Sequence, residues 1–184
     1  MHSKMFVVKF DFEAISTEDL MDEVQGYIEE YPYDGGEIDY IQSMEDMASM
    51  GRSLNSNENK YDGGYYRKEI IESKVEDLCE EFYAVKIDEN KVKFTKDGLH
   101  QYFRKVIDRI KEHVDSIGYD VDKFLKERYH LIYGILNEEH PKYYCNYAGC
   151  EGESNFIDTI CNKMRYDNVD TIEVELIDVY DYHF

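Results

Sequence analysis

The chain has 184 residues, 42% of them hydrophobic, and sets 21 Lys and Arg against 41 Asp and Glu, a formal net charge of −20. That apolar content supplies a core and excludes wholesale disorder. The charge excludes direct attraction to DNA, RNA or an anionic membrane, because those polyanions draw basic surfaces; it leaves a basic protein partner, metal cations or plain solubility.

The length is that of one domain, residues 1–184. Met5 to Phe12 is β-rich and partly alternating, which predicts a strand. Ser16 or Thr17 then caps a helix over Glu18 to Glu30, whose apolar stripe is Leu20, Val24, Tyr27 and Ile28. Pro32 ends it, and Asp34-Gly35-Gly36 is a turn. Ile41 to Leu54 reads as a second helix with Ile41, Met44, Met47 and Met50 to one side. Residues 55–64 form the clearest loop, a hinge or sub-boundary. A helix follows from Arg67 to Tyr83, then a hairpin from Val85 to Phe94 that turns at Asp88-Glu89-Asn90. The next helix starts at Thr95 or Asp97 and keeps its period through Leu99, Phe103, Val106, Ile107, Ile110 and Val114. Gly118 breaks it. A fifth helix spans Val121 to Asn137, a loop spans His140 to Glu153, a short helix spans Ser154 to Met164, and a closing strand spans Asp170 to Tyr182. The order predicts an α+β fold: a small antiparallel sheet that includes the N- and C-terminal strands, packed with about five helices.

Met1 to Met5 lacks an apolar signal segment and no run is long enough to span a membrane, so a cytoplasmic protein with reduced cysteines is expected.

Charge is unevenly spread. From Asp11 to Asp46 there are thirteen carboxylates and no Lys or Arg. Residues 86–112 hold eight bases and five acids, and residues 151–184 hold two bases and nine acids. Pairing of the terminal strands would bring the two negative segments onto one face. On the helix at 18–30, Glu18/Asp22 and Asp19/Glu23 are four apart, and such like-charge neighbours each cost a few tenths of a kcal/mol. A domain stable by ~5–15 kcal/mol tolerates that. Carboxylates in helical rows approach the charge density of a phosphate backbone, which a Lys/Arg groove attracts in the same way. The candidate partner-binding residues are therefore Glu18, Asp19, Asp22, Glu23, Glu29, Glu30, Asp34, Asp39, Asp170, Glu173, Glu175, Asp178 and Asp181, with Tyr27, Tyr31, Tyr33 and Tyr40 as interleaved aromatic anchors. The bases of the helix at 98–116 could dock against the acidic terminal segments, within the chain or across a dimer.

By composition the chain resembles the inhibitors that phages and mobile elements encode against host nucleases, the anti-CRISPR and anti-restriction DNA-mimic proteins. The residues that carry the resemblance are Asp11 to Asp46 together with Asp167, Asp170, Glu173, Glu175, Asp178 and Asp181. The eight bases at 86–112 depart from an all-acidic surface. The resemblance implies a non-enzymatic protein in the host cytoplasm, without cofactor, that occupies the basic nucleic-acid groove of a nuclease such as a CRISPR effector or blocks its conformational change.

Two readings of other classes stay open. His140, Cys145, Cys150 and Cys161 are four soft ligands within 22 residues, a set for a small structural-zinc domain, although both four-residue gaps exceed tight knuckle spacing. An enzyme with a dispersed site is the other. No phosphate loop, no Gly-x-Ser-x-Gly, no His-Glu-x-x-His and no calcium loop occurs, and the six His are scattered.

Overall fold

The computed structural model describes residues 2–30, 40–44, 63–129 and 141–183. In chain order the elements are β1 (His2–Phe10), α1 (Thr17–Glu30), β2 (Tyr40–Ser43), α2 (Gly63–Phe82), β3 (Val85–Asp88), β4 (Lys91–Thr95), α3 (Lys96–Ile117), α4 (Val121–Tyr129), β5 (Lys142–Cys145), β6 (Gly149–Gly152), α5 (Glu153–Asp167) and β7 (Thr171–His183). The class is α+β, with both terminal strands in one seven-stranded sheet.

β7 is the spine of that sheet. One of its edges pairs antiparallel with β1 along nearly the whole strand, from His2↔His183 to Phe10↔Val174. Its other edge is shared. β4 takes the first part, Thr95↔Thr171 to Lys91↔Glu175, and β2 takes the last, Ser43↔Tyr180 to Tyr40↔His183. Asn90 in the β3–β4 turn bonds β7 beyond the end of β4: its carbonyl accepts from Leu176 N at 2.8 Å, and its amide donates to Leu176 O at 3.1 Å. Beyond β1, β5 runs parallel to it and β6 closes as a hairpin partner, so the sheet holds one parallel pair.

The register slips between Val7 and Val8, opposite Asp178 and Leu176, leaving Ile177 as an extra residue. Such a bulge shifts the alternation of side chains by one. Ile172, Val174 and Leu176 before it and Val179 after it share one core, and Ile177, Tyr180 and Tyr182 belong to the other.

The two cores lie on opposite faces. The larger sets Phe6, Val8, Phe10, Val92 and Phe94 of the sheet against Ile71, Val75, Leu78 and Phe82 of α2, Leu99 of α3, and Phe156, Ile157, Ile160 and Met164 of α5. The smaller sets Met5, Val7, Ile41, Tyr180 and Tyr182 against Leu20 and Val24 of α1. Leu20 and Val24 have no exposed area, and burial stabilises each by about 1.5–3 kcal/mol. That outweighs the repulsion among the acids of α1, so the helix holds.

α3 begins directly over the end of α2. Thr95 caps it, its hydroxyl accepting from Gly98 N at 3.0 Å. Gly98 is forced by the approach: a Cβ there would lie 2.6 Å from the Tyr83 carbonyl oxygen. α3 is buried near its two ends, at Gly98 and Leu99 and again at Ile117, and exposes apolar side chains between them. Leu99 is buried, whereas Ile107 and Val114 of the same predicted stripe are exposed.

Two predicted elements are corrected. Residues 41–43 are strand, not the start of a helix, because they complete the free edge of β7; Met44 is helical, and 45–54 lie outside the described residues. The predicted loop at 140–153 contains the β5–β6 hairpin. Strands of four residues show too little alternation to be read locally; β1 supplies the edge that organises this one. Of the loop at 55–64, Gly63 and Gly64 open α2 and the rest lies outside the described residues, as do the turn at 34–36 and residues 130–137 of the predicted fifth helix.

Candidate functional site

α1 starts at a cap in which Asp19 N donates to Ser16 Oγ at 3.0 Å and Ser16 Oγ donates back to Asp19 Oδ2 at 2.6 Å. At 100° per residue, Glu18, Asp22 and Glu29 form one row and Asp19, Glu23 and Glu30 a second, all within about 140° of arc opposite Leu20 and Val24. All six carboxylates are exposed. Glu23 accepts from Asn146 Nδ2 and Glu29 from Gln25 Nε2, each at 2.7 Å. None of the six forms an ion pair with a Lys or Arg among the described residues. They occupy about 18 Å of axis at 1.5 Å per residue, one charge per about 3 Å. One strand of a DNA duplex carries a phosphate every ~3.4 Å.

The acids near the C-terminus are arranged differently. Glu173 bonds Lys91 at 2.9 Å and Lys93 at 3.0 Å, and these lysines hold its carboxyl below the ordinary value. Glu175 stands in register between Lys9 on β1 and Lys91 on β4, so a ladder of alternating charge crosses three strands. Asp170 pairs with Lys96 at 2.8 Å and Asp178 with Arg67 at 3.8 Å. Asp181 is fully buried and pairs with Lys4 opposite it. The structure thus brings both acidic segments to neighbouring elements, but among the described residues Asp170, Glu173, Asp178 and Asp181 have cationic partners and the six carboxylates of α1 do not. The bases that neutralise Asp170 and Glu173 are Lys91, Lys93 and Lys96, not those of the exposed part of α3, which belongs to the opposite face of the sheet from α1.

Of the aromatic anchors, Tyr27 is half-buried against Tyr144, ring centroids 5.2 Å apart, and bonds the Cys150 thiol. Tyr40 sits in β2. Tyr31, Tyr33, Asp34 and Asp39 lie outside the described residues.

The soft-ligand set is split. Cys145 and Tyr143 face the larger core, whereas Cys150 and Tyr144 face the smaller one, so strand alternation directs the two thiols to opposite sides of the sheet. Cys161 packs at the edge of the larger core from α5, and His140 lies outside the described residues. Burial pushes Cys145 up to about 12 and Cys161 to about 11, which disfavours thiolate. Among the described residues no three His, Cys, Asp or Glu side chains converge where a metal ion could be held, and no helix is long and apolar enough to cross a membrane.

A second constellation escaped the sequence reading. Lys74 Nζ donates to Glu153 Oε1 at 2.8 Å, and Tyr143 OH donates to the same oxygen. The ammonium lies 5.7 Å from the centroid of the Tyr143 ring and 6.0 Å from that of Phe6. Burial foremost, and then the Glu153 charge, hold the Tyr143 phenol neutral. Lys74 and Lys4 line a cleft of about 390 Å³ with Ser3, Ser73 and Asp77 at its rim. A signal for it existed: Lys74 interrupts the apolar stripe of α2 between Ile71 and Leu78. Through these bonds the cluster ties α2, β5 and α5 together.

Comparison of the chain with protein-family models, with curated proteins and with solved structures finds no significant match.

Proposed function

We propose that this protein is a non-enzymatic inhibitor that lays the acidic face of α1 in the cationic groove of a nucleic-acid-handling protein, such as a nuclease, and keeps nucleic acid out. The observation that carries this reading is the contrast between the two acidic segments. Asp170, Glu173, Asp178 and Asp181 have cationic partners within the chain, while the six carboxylates of α1 are exposed and have none among the described residues. Rows of like charge do not help α1 fold, and their spacing is close to that of phosphates along one strand. The gain on binding is the release of counterions from the partner's groove, the same gain nucleic acid provides.

The test is binding to a basic nuclease recovered from host lysate at low salt. Affinity should fall steeply as salt rises. Reversing Glu18, Asp22, Glu29 and Asp39 together to Lys should weaken it at least tenfold, about 1.4 kcal/mol. Glu173→Gln should leave it unchanged. Affinity unaffected by the fourfold reversal would sink the reading.

A further inference from the structure

We propose that the hairpin of α3 and α4 is a self-association surface, on which a second copy of this chain docks through the same two helices. Gly118, at a φ of +60°, turns the chain between them, and α4 folds back so that His113 Nε2 lies 3.7 Å from Glu127 Oε2. Between the buried Leu99 and Ile117, α3 exposes Ile107 and Val114, seven residues apart and hence on one stripe. α4 exposes Val121, Phe124 and Leu125, at the three- and four-residue spacing of one helix face. These five side chains are 46–68% exposed. Apolar side chains clustered in this way mark an interaction site.

Charge decides which occupant fits. Residues 96–129 carry eight bases and seven acids, a formal +1, so the rest of this −20 chain carries −21. Two copies that met through any acidic region would repel strongly. Meeting hairpin to hairpin, they bring near-neutral apolar surfaces together while the acidic bodies point away. The contact is isologous and closes as a two-fold dimer. A strongly basic partner is drawn to α1 instead, on the other face of the sheet. This inference does not depend on the function proposed above.

Analytical ultracentrifugation of the full chain across a wide concentration range tests it. The expected result is a concentration-dependent species of twice 21.9 kDa. It should tighten when salt rises from about 0.1 M to about 1 M, as the Debye length shrinks from about 10 to about 3 Å. Salt would act in the opposite direction on the α1 contact. Phe124→Glu and Val114→Glu, each verified as folded by circular dichroism, should each weaken the dimer at least tenfold; the sites are half exposed, so folding should survive. Three results overturn the proposal: a monomer at every concentration and salt, including one whose α3 and α4 amides are shielded by its own chain; a dimer indifferent to both substitutions; or a mass that keeps growing past two copies.

Discussion

Lys74 and Glu153, 79 residues apart, meet at 2.8 Å inside the larger core with both side chains less than a tenth exposed. Removing one charge of such a pair strands the other in a medium that cannot solvate it. Lys74→Met should therefore cost about 3–5 kcal/mol, read from urea denaturation. Lys74→Met combined with Glu153→Gln should recover most of that, since the amide oxygen still accepts from Tyr143. A single-variant cost below about 1 kcal/mol, the ordinary worth of an exposed pair, would show that water reaches the site.

On α1 the prediction has the opposite sign. Asp22→Lys exchanges a Glu18 repulsion for an attraction at the same four-residue spacing. Each such term is about 0.2–0.5 kcal/mol, so the variant should be more stable by about 0.5–1 kcal/mol. A lowered melting temperature would mean that Asp22 is already compensated within the chain.

Gly98→Ala should destabilise, because the new methyl would meet the Tyr83 carbonyl at 2.6 Å and backbone cannot step aside cheaply. Overpacking of this kind costs about 1–3 kcal/mol. Gly26 on α1 has open space around a would-be Cβ, so Gly26→Ala should instead stabilise by about 0.5–1 kcal/mol. The two variants compared in one denaturant series check both.

Glu173 couples stability to pH. Hydrogen bonds from Lys91 and then Lys93 lower its carboxyl below 4.5. Its contribution is then full above the unfolded value and is lost as pH falls through the folded one. Lys91 is raised above 10.5 chiefly by the same bond, so its contribution is full below 10.5 and lost as pH climbs through the folded value. Glu173→Gln should be less stable than the parent near neutral pH and converge with it in acid. A stability gap that persists in acid would contradict the ion-pair assignment.

Two thiols give an independent check on the larger core. With Cys161 near 11 and Cys145 near 12, alkylation of the folded chain should reach Cys161 before Cys145 as pH rises, because thiolate is the reactive form. Peptide mass mapping reads the order; Cys145 reacting as fast as in the unfolded chain would place it outside the core.

What the amino-acid order alone determined is what short-range periodicity and charge count carry. The terminal strands, the helices over 17–30 and 96–117, and the hairpin turning after Asp88 were legible because each repeats its pattern, or sets its turn, within one element. So was the absence of bases between Asp11 and Asp46. The tertiary structure decided everything that depends on which edges meet. Residues 40–43, 142–145 and 149–152 became strands because β7 and β1 had edges to fill, and strand alternation sent Cys145 and Cys150 to opposite faces. Asp181 found Lys4 across 177 residues, and Glu173 found Lys91 and Lys93. Coulomb attraction acts over a few ångströms of space and takes no account of sequence separation, so only the folded sheet could sort acids that neutralise the molecule internally from those it presents outward.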